Sequence, residues 1–157
     1  MIAPVAHACE IDGVPVTAPT FVACACDPAR SVVVEACAGS GKTWLLVARM
    51  LRLLLAGSAP SELLAITFTR KAAQEMRARL MALLRELALQ PDHVVAELLR
   101  ERGVAPHELE GAMVRARGLL DRVLASAQPL SIDTFHSWFA RLIQLAPLAS
   151  GVPHGYA

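Results

Sequence analysis

A chain of 157 residues is long enough for one domain with a hydrophobic core, and its composition is that of a globular protein. Its net charge of +1 is not the signature of a polyanion-binding protein, so composition by itself does not indicate nucleic acid as a partner. Hydrophobic residues make up 55% of the chain, yet charges, prolines and glycines interrupt every apolar run, so we expect no membrane-spanning helix.

Four cysteines give no sign of a metal site or of export. Cys9, Cys24, Cys26 and Cys37 lack the paired spacing of zinc ligands, and no basic segment followed by an apolar core marks a signal peptide. Free thiols in a reducing cytoplasm are therefore predicted. The high apolar content indicates helices and strands that are buried on several sides.

The first predicted elements are a leader and a strand. Prolines recur through residues 1–29 with little periodicity, which predicts a poorly ordered leader that becomes structured near Phe21. Three consecutive valines at positions 32–34 are typical of a fully buried parallel strand, and we expect that strand to end near Ala36.

A loop, a helix and a second strand are predicted next. The loop at residues 37–41 contains two glycines, and Lys42–Ala56 is predicted to be a helix that Gly57 ends. Residues 63–67 form a short apolar run that predicts a strand. Thr69 follows that strand and is a suitable N-cap for another helix.

A long amphipathic helix is predicted from Arg70, because apolar residues recur there at three- and four-residue intervals while charged residues occupy the opposite face. The apolar positions are Ala72, Ala73, Met76, Leu80, Leu83, Leu84 and Leu87. Pro91 breaks this helix, and Asp92 is predicted to cap a shorter helix that runs to Arg102. A third helix is predicted to end near Ala125.

A last strand and helix complete the predicted order. Residues 130–132 predict a strand, and apolar residues from Phe135 onward recur at helical spacing and stop before Pro147. Strands and helices alternate along the chain, with additional helices before the last strand. This order is that of an α/β protein with a parallel sheet and a helical insertion in one crossover.

A phosphate-loop pattern lies between the first predicted strand and the first long helix. Its residues are Ala36, Cys37, Ala38, Gly39, Ser40, Gly41, Lys42 and Thr43, with alanine at the first place, where glycine is commoner. The two glycines allow backbone N–H groups to turn inward around an anion, to which the following helix adds its positive N-terminal end. Lys42 is expected to reach the β- and γ-phosphates of ATP, and the Thr43 hydroxyl to ligate Mg²⁺, so both are predicted catalytic groups. We assign Cys37 no redox role.

Three segments resemble motifs of the UvrD/RecB branch of superfamily 1 helicases, which includes the AddA proteins. Residues 34–43, VEACAGSGKT, resemble motif I of that family. Residues 64–77, LAITFTRKAAQEMR, are similar to motif Ia, and residues 133–138, DTFHSW, resemble the Thr-Phe-His-Ser element that follows it. The resemblance covers roughly residues 21–145, and its motifs stand in the family's order.

The resemblance implies a P-loop NTPase of the RecA-like type, with a parallel sheet that carries helices on both faces and is incomplete here. Residues 30–145 are then expected to be the N-terminal part of a helicase ATP-binding domain. Within it, residues 81–128 are expected to form the helical insertion. Residues 146–157 are expected to be a truncated tail.

The resemblance also implies contacts with single-stranded or partly unwound DNA. The positions that match DNA-contacting residues of the family are Thr67, Phe68, Thr69, Thr134 and His136. Small hydroxyls at strand ends can bond phosphate oxygens without reading sequence, and an aromatic ring can stack on a base. Without the resemblance, Phe68 and Phe135 would be interpreted as core aromatics and His136 as a capping or buried histidine.

Parts of the family's machinery are not found in the sequence. The acidic Asp-Glu motif II and the later arginines that stabilise the γ-phosphate are missing, and Asp121 and Asp133 are isolated. Residues 26–30 hold no glutamine of the kind with which UvrD-type proteins recognise adenine, so base selectivity stays open.

We therefore expect the chain to bind nucleotide weakly without appreciable hydrolysis. The resemblance implies a fragment of an ATP-dependent DNA helicase of recombination and repair. Its expected partners are the remainder of the motor and a component of a nuclease complex, and whether the parent protein carries a fused nuclease stays open.

Two other functions stay open. A small P-loop kinase or unrelated NTPase would need an acceptor pocket and a lid with clustered arginines. The candidates for that lid are Arg115, Arg117 and Arg122, although their leucine-rich neighbours favour an ordinary amphipathic helix. The second alternative is a catalytically dead DNA-binding or interaction module in which the motifs are relics.

Overall fold

The computed structural model describes residues 9–37, 39–128 and 130–145, and these form a mixed α/β structure with four short strands and seven α-helices. The strands are β1 (Cys9–Ile11), β2 (Val14–Val16), β3 (Leu64–Thr67) and β4 (Ser131–Thr134). The helices are α1 (Ala18–Ala25), α2 (Lys42–Ala56), α3 (Arg70–Leu89), α4 (Asp92–Glu101), α5 (Leu109–Arg117), α6 (Leu119–Leu124) and α7 (Phe135–Gln144). Single 3-10 turns lie at Pro60–Glu62 and Pro106–Glu108.

The stretch predicted to be a poorly ordered leader contains a hairpin and a helix within its described residues. β1 and β2 pair antiparallel across a turn in which Asp12 and Gly13 both have positive φ (51° and 79°), and this dipeptide is a strong hairpin signal. The Thr17 side chain then accepts a hydrogen bond from the Thr20 N–H (3.3 Å) and caps α1. Pro19 lies in the first turn of α1, where a proline is tolerated, so it does not act as a helix breaker.

Residues 31–37 form no strand, and the prediction of a buried strand ending near Ala36 is wrong for this part of the chain. Val33 is 91% exposed. β-branched residues favour extended backbone, but a strand also needs a neighbour that completes its hydrogen bonds. Among the described residues, β3 and β4 pair only with each other and leave this segment without such a neighbour.

β3 and β4 form a two-stranded parallel sheet, and α3 lies in the connection between them. Parallel register partners point to the same face of a sheet. Ala65 and its partner Ile132 pack into the core, whereas Leu64 and Ile66 are 45% and 41% exposed on the other face. The described sheet is therefore smaller than the predicted one and has one open face.

Helices α2 and α3 supply the centre of the core. α2 ends at Gly57, which adopts φ +111°, as its sequence predicts. α3 begins after Thr69, whose hydroxyl accepts a hydrogen bond from the Ala72 N–H (3.1 Å), so the predicted N-cap is confirmed. The fully buried leucines of the two helices are Leu51, Leu54, Leu80, Leu84 and Leu87.

Helices α4, α5 and α6 form the helical region between α3 and β4, with two differences from the prediction. Asp92 does not cap α4, because Pro91 occupies the N-cap position and the Asp92 carboxylate binds Arg117 (2.5 Å) instead. The predicted third helix divides at Gly118 into α5 and α6, as expected for a residue that weakens helix interiors.

The arginines considered for a kinase lid satisfy carbonyls at helix ends. Arg115 donates to the Leu55 oxygen (3.0 Å) and Arg122 to the Leu54 oxygen (2.5 Å), both in the last turn of α2. Arg117 donates to the carbonyls of Leu87, Ala88 and Gln90 at the end of α3. Helix C-termini leave carbonyls without intrahelical partners, and these guanidinium groups supply the missing donors.

None of the helices in the described part of the chain is long and apolar enough to cross a membrane. The predicted tail falls on residues 146–157, which lie outside the described residues together with residues 1–8, Ala38 and Pro129.

Gly103 and Gly111 form a matched pair for a stability test. Gly103 has φ +76°, and a Cβ there would lie 2.7 Å from the Cα of Ala23, so Gly103→Ala should lower the free energy of unfolding by about 1–3 kcal/mol. Gly111 lies within α5, where a Cβ would meet only the flexible end of Arg115, so Gly111→Ala should be neutral or stabilise by up to about 1 kcal/mol. Urea unfolding measures the free energy of unfolding of both variants, and equal effects would contradict the close approach of Gly103 to Ala23.

Candidate functional site

The loop that leads into α2 has left-handed backbone at both of its glycines. Gly39 and Gly41 adopt φ +79° and +87°, and Gly41 is the residue immediately before α2. A Cβ at either glycine would meet nothing within 4 Å, so backbone conformation, rather than crowding, favours glycine here. Ala38 was also predicted to belong to the loop and lies outside the described residues.

Lys42 holds the two sides of this loop together. Its ammonium donates hydrogen bonds to the carbonyl oxygens of Ala36 (2.7 Å) and Cys37 (2.5 Å). The Ser40 N–H donates to the same Cys37 oxygen (3.3 Å). An ammonium has three donors, so two of them are engaged within the loop.

The start of α2 is positively polarised. Its first turn contains no acidic side chain, so no carboxylate neutralises the N–H groups that point out of the helix end. Thr43 is the second residue of this turn and is half-buried beside the loop. The local field therefore favours an anion at the loop, with a hydroxyl next to it.

A cleft of about 280 Å³ opens beside the loop, between α1, residues 31–37 and α2. Its lining residues are Ala25, Val32, Val34, Lys42, Leu45, Leu46 and Arg49. Most of these walls are apolar, and the cleft shares only Lys42 with the phosphate-loop residues. It is therefore suited to an apolar group and not to a phosphate.

Arg49, in α2, connects that helix to the turn after α1 through hydrogen bonds. Its guanidinium donates to the carbonyl oxygens of Ala25 (2.8 Å), Asp27 (3.2 Å) and Arg30 (2.5 Å). This is the stretch in which the sequence lacks the family's glutamine. The hydrogen bonds from Arg49 to these backbone carbonyls position the turn without requiring a specific side chain in it.

The predicted DNA-contacting residues gather at one end of the small sheet. Thr67 and Thr134 are register partners at the carboxyl ends of β3 and β4. Thr134 is buried, and its hydroxyl caps α7 by accepting a hydrogen bond from the Ser137 N–H (3.2 Å). Thr69 caps α3 in the same way, so both hydroxyls already have partners.

The aromatic and histidine candidates at this end are exposed. Phe68 is 98% exposed directly after β3, and Phe135 is 52% exposed at the start of α7. His136 is exposed as the second residue of α7. The core interpretation of the two phenylalanines and the buried interpretation of the histidine are therefore wrong.

A second cleft, of about 260 Å³, lies between α3, α7 and β4 and was not predicted from the sequence. Arg70, Gln74 and Arg77 line it from α3, and Asp133 and Ser137 line it from the other side. Arg77 also donates to the Ile132 oxygen (3.2 Å). The available signal was the spacing of the three α3 residues, which places them on one helix face.

Carboxylates do not complete a metal site in the described part of the chain. No group of three histidine, cysteine, aspartate or glutamate side chains there could hold a metal ion. Asp133, in β4, contacts Arg141 of α7. Thr43 remains the predicted magnesium ligand.

The thiols of Cys26 and Cys37 differ in accessibility. Cys37 is exposed in the loop, whereas Cys26 is fully buried with its Sγ near the Leu45 oxygen (3.9 Å). Burial raises the pKa of the Cys26 thiol, and the nearby Arg52, Arg49 and Arg102 only partly offset this. A neutral, buried thiol is unreactive, so Cys37 is the accessible probe of the loop.

Comparison with known proteins adds a family assignment. Residues 19–153 match the family model described as UvrD/REP helicase N-terminal domain. No solved structure matches the chain.

The chain is also similar to bacterial proteins that are each named as one subunit of an ATP-dependent helicase/nuclease. It is 46% identical to the protein of Lactobacillus helveticus (strain DPC 4571) over 65 residues, which is 41% of this chain and 5% of the relative. The protein of Lactobacillus acidophilus (strain ATCC 700396 / NCK56 / N2 / NCFM) is 49% identical over 63 residues, 40% of this chain and 5% of the relative. The matched stretches are thus a small part of the relatives' own length.

Thr134 and His136 should differ in their effect on stability. Thr134→Val keeps the side-chain volume but removes the cap of α7, so the free energy of unfolding should fall by about 1 kcal/mol. His136→Ala changes an exposed side chain and should stay within about 0.5 kcal/mol of the unaltered chain. Urea unfolding measures the free energy of unfolding of both variants. A larger decrease for His136→Ala than for Thr134→Val would contradict the described contacts.

Proposed function

Because the chain belongs to the UvrD/REP helicase N-terminal domain family, we propose that it supplies the first motifs of an ATP-dependent DNA helicase of the UvrD/AddA type. The observation that carries this proposal is the loop with left-handed Gly39 and Gly41 that leads directly into Lys42 and α2. The relatives' names, which describe part of an ATP-dependent helicase/nuclease, support the same activity for the whole protein. A RecA-like arrangement is proposed from the phosphate loop and the parallel β3–α3–β4 unit.

ATP is the proposed nucleotide. The loop N–H groups around Gly39 and Gly41 and the free end of α2 bind phosphate oxygens, and the open space at both glycines leaves room for them. Lys42 exchanges its two carbonyl partners for oxygens of the β- and γ-phosphates. The Thr43 hydroxyl would ligate the Mg²⁺ that accompanies the nucleotide, whose chemistry there would be to neutralise phosphate charge.

Binding without turnover is proposed for this chain by itself. Hydrolysis needs a carboxylate that orients water and holds the metal, together with arginines that stabilise charge on the γ-phosphate. The sequence has no Asp-Glu pair. The arginines of α5 and α6 bind helix-end carbonyls, and this engagement also disfavours the kinase alternative.

Single-stranded DNA is the proposed polymer ligand, at the carboxyl ends of β3 and β4. Phe68 is 98% exposed directly after β3, so its ring is accessible for stacking on a base. Thr67 and His136 lie at the same end of the sheet and can bond phosphate oxygens. Arg70, at the start of α3, adds positive charge there.

The proposed partners are the remainder of the motor and a component of a nuclease complex, since the relatives are named as one part of a helicase/nuclease. The cytoplasm is the proposed compartment. Its support is that all four cysteines are free thiols, as expected in a reducing environment.

Replacement of the loop lysine tests nucleotide binding. Lys42→Ala should weaken binding of a fluorescent ATP analogue with Mg²⁺ at least about tenfold, because a charge-assisted contact worth about 1.5–3 kcal/mol is lost. Lys71→Ala is the matched control, since Lys71 is the chain's other lysine and lies exposed on α3, and binding should not change. Phosphate release should stay at background.

Alkylation of Cys37 provides a second readout of the same site. ATP should protect Cys37 from iodoacetamide in the unaltered chain and not in Lys42→Ala, while buried Cys26 should react only after unfolding. Equal binding and equal protection in the two chains would refute the phosphate-loop assignment. Retained DNA binding with no ATP binding would favour the relic alternative.

Phe68→Ala tests the DNA surface. The substitution should weaken binding of a labelled oligothymidylate by about 5- to 100-fold, because stacking contributes about 1–3 kcal/mol per base. Leu89→Ala removes a comparably exposed apolar side chain at the far end of α3 and should leave the affinity unchanged. Equal affinities of the unaltered chain, Phe68→Ala and Leu89→Ala for the oligonucleotide would refute the stacking proposal.

A further inference from the structure

The junction after α4, formed by Arg102 and Gly103, contacts both helices that flank the phosphate-loop segment. The guanidinium carbon of Arg102 lies 5.4 Å from the ring centroid of Trp44, in the first turn of α2. Gly103 lies so close to α1 that a Cβ would be 2.7 Å from the Cα of Ala23. The end of α4 is thus seated against both α1 and α2.

Arg102 is a buried charge with few partners. It is 8% exposed, and it donates to the Leu98 oxygen (2.7 Å) and, at 3.5 Å, to the Glu101 carboxylate. Burial lowers the pKa of its guanidinium, an effect that Glu101 and Glu86 oppose. A buried guanidinium needs compensating contacts, and the Trp44 face supplies one that is stronger in a desolvated place than in water.

Trp44 follows Thr43 and stands two residues after Lys42, so its ring belongs to the same helical turn as the groups proposed to bind phosphate. A ring held by a fixed cation restricts how that turn can rotate or fray. Other polar contacts from the helical region reach the second half of α2, where Glu108 pairs with Arg52 (3.6 Å) and Arg115 binds the Leu55 oxygen. Arg102 is therefore placed to act on the nucleotide end of α2.

We propose that Arg102 is a positioning residue for ATP: it holds Trp44 and thereby keeps the first turn of α2, with Lys42 and Thr43, in the binding-competent conformation. The helical region between α3 and β4 is then energetically linked to the nucleotide site. The inference rests on the proposed ATP binding. When the competent conformation is only partly populated, the apparent dissociation constant rises by the inverse of its population.

The test uses tryptophan fluorescence in a Trp138→Phe background, which leaves Trp44 as the sole tryptophan of the chain. Arg102→Met keeps an apolar stem and removes the charge, and it should change the Trp44 emission and weaken ATP binding by about 3- to 30-fold. Arg102→Lys keeps a cation near the ring and should restore most of the affinity. In a double-mutant cycle, Arg102→Met should have little further effect on ATP binding once Trp44 is replaced by leucine, with the fluorescent analogue as the readout.

Arg115→Met is the matched control, because it removes an arginine contact from the far end of α2. It should lower the melting temperature and leave the ATP affinity within about twofold. If Arg102→Met fails to fold, as judged by circular dichroism, the ATP affinities of Trp44→Leu and Arg102→Lys replace it. Weakened binding in Trp44→Leu with most of the affinity kept in Arg102→Lys supports the inference, and wild-type affinity in Trp44→Leu overturns it.

Several results overturn the inference. They are wild-type ATP affinity in Arg102→Met, full additivity with Trp44→Leu, or an equal loss of affinity in Arg115→Met. If these occur while Lys42→Ala abolishes binding, the proposed function stands and the positioning role falls. No ATP binding by the unaltered chain would overturn both.

Discussion

The packing of α2 against α3 is the interaction on which the rest of the structure depends. Leucines from both helices are fully buried, and each contributes about 1.5–3 kcal/mol relative to an exposed side chain. α2 starts in the phosphate loop, and α3 starts at the capped Thr69 beside the end of β3. One apolar contact therefore fixes the proposed nucleotide site and the proposed DNA surface relative to each other, and the helical region packs around it.

Arginine side chains make many of the hydrogen bonds that connect distant parts of this small structure. Arg49, Arg115 and Arg122 each reach backbone carbonyls distant in sequence, at helix ends or in the turn after α1. Planar guanidinium groups with several donors suit this role better than a lysine ammonium does. Because these arginines are engaged with backbone carbonyls, net charge by itself does not indicate a nucleic-acid partner. The proposed DNA surface depends instead on hydroxyls, one exposed ring and local arginines.

Local signals in the sequence predicted the features that depend on a few neighbouring residues. Gly57 and Thr69 mark helix ends because backbone conformation and capping are decided within one turn. Gly39 and Gly41 adopt the positive φ for which the phosphate-loop pattern selects glycine. Local signals failed at the valines of residues 32–34, where the predicted strand does not form. An extended segment becomes a strand only when a partner strand lies alongside it.

By itself, the sequence determined the phosphate-loop pattern, the amphipathic course of α3 and the family to which the chain belongs, because these reside in short runs of residues. Tertiary structure alone decided the pairs that lie far apart in the chain. It placed Thr67 beside Thr134, Arg117 beside Asp92 and Arg102 over Trp44. The reason is physical: such contacts follow from which apolar faces pack together, and periodicity identifies an apolar face without naming its partner.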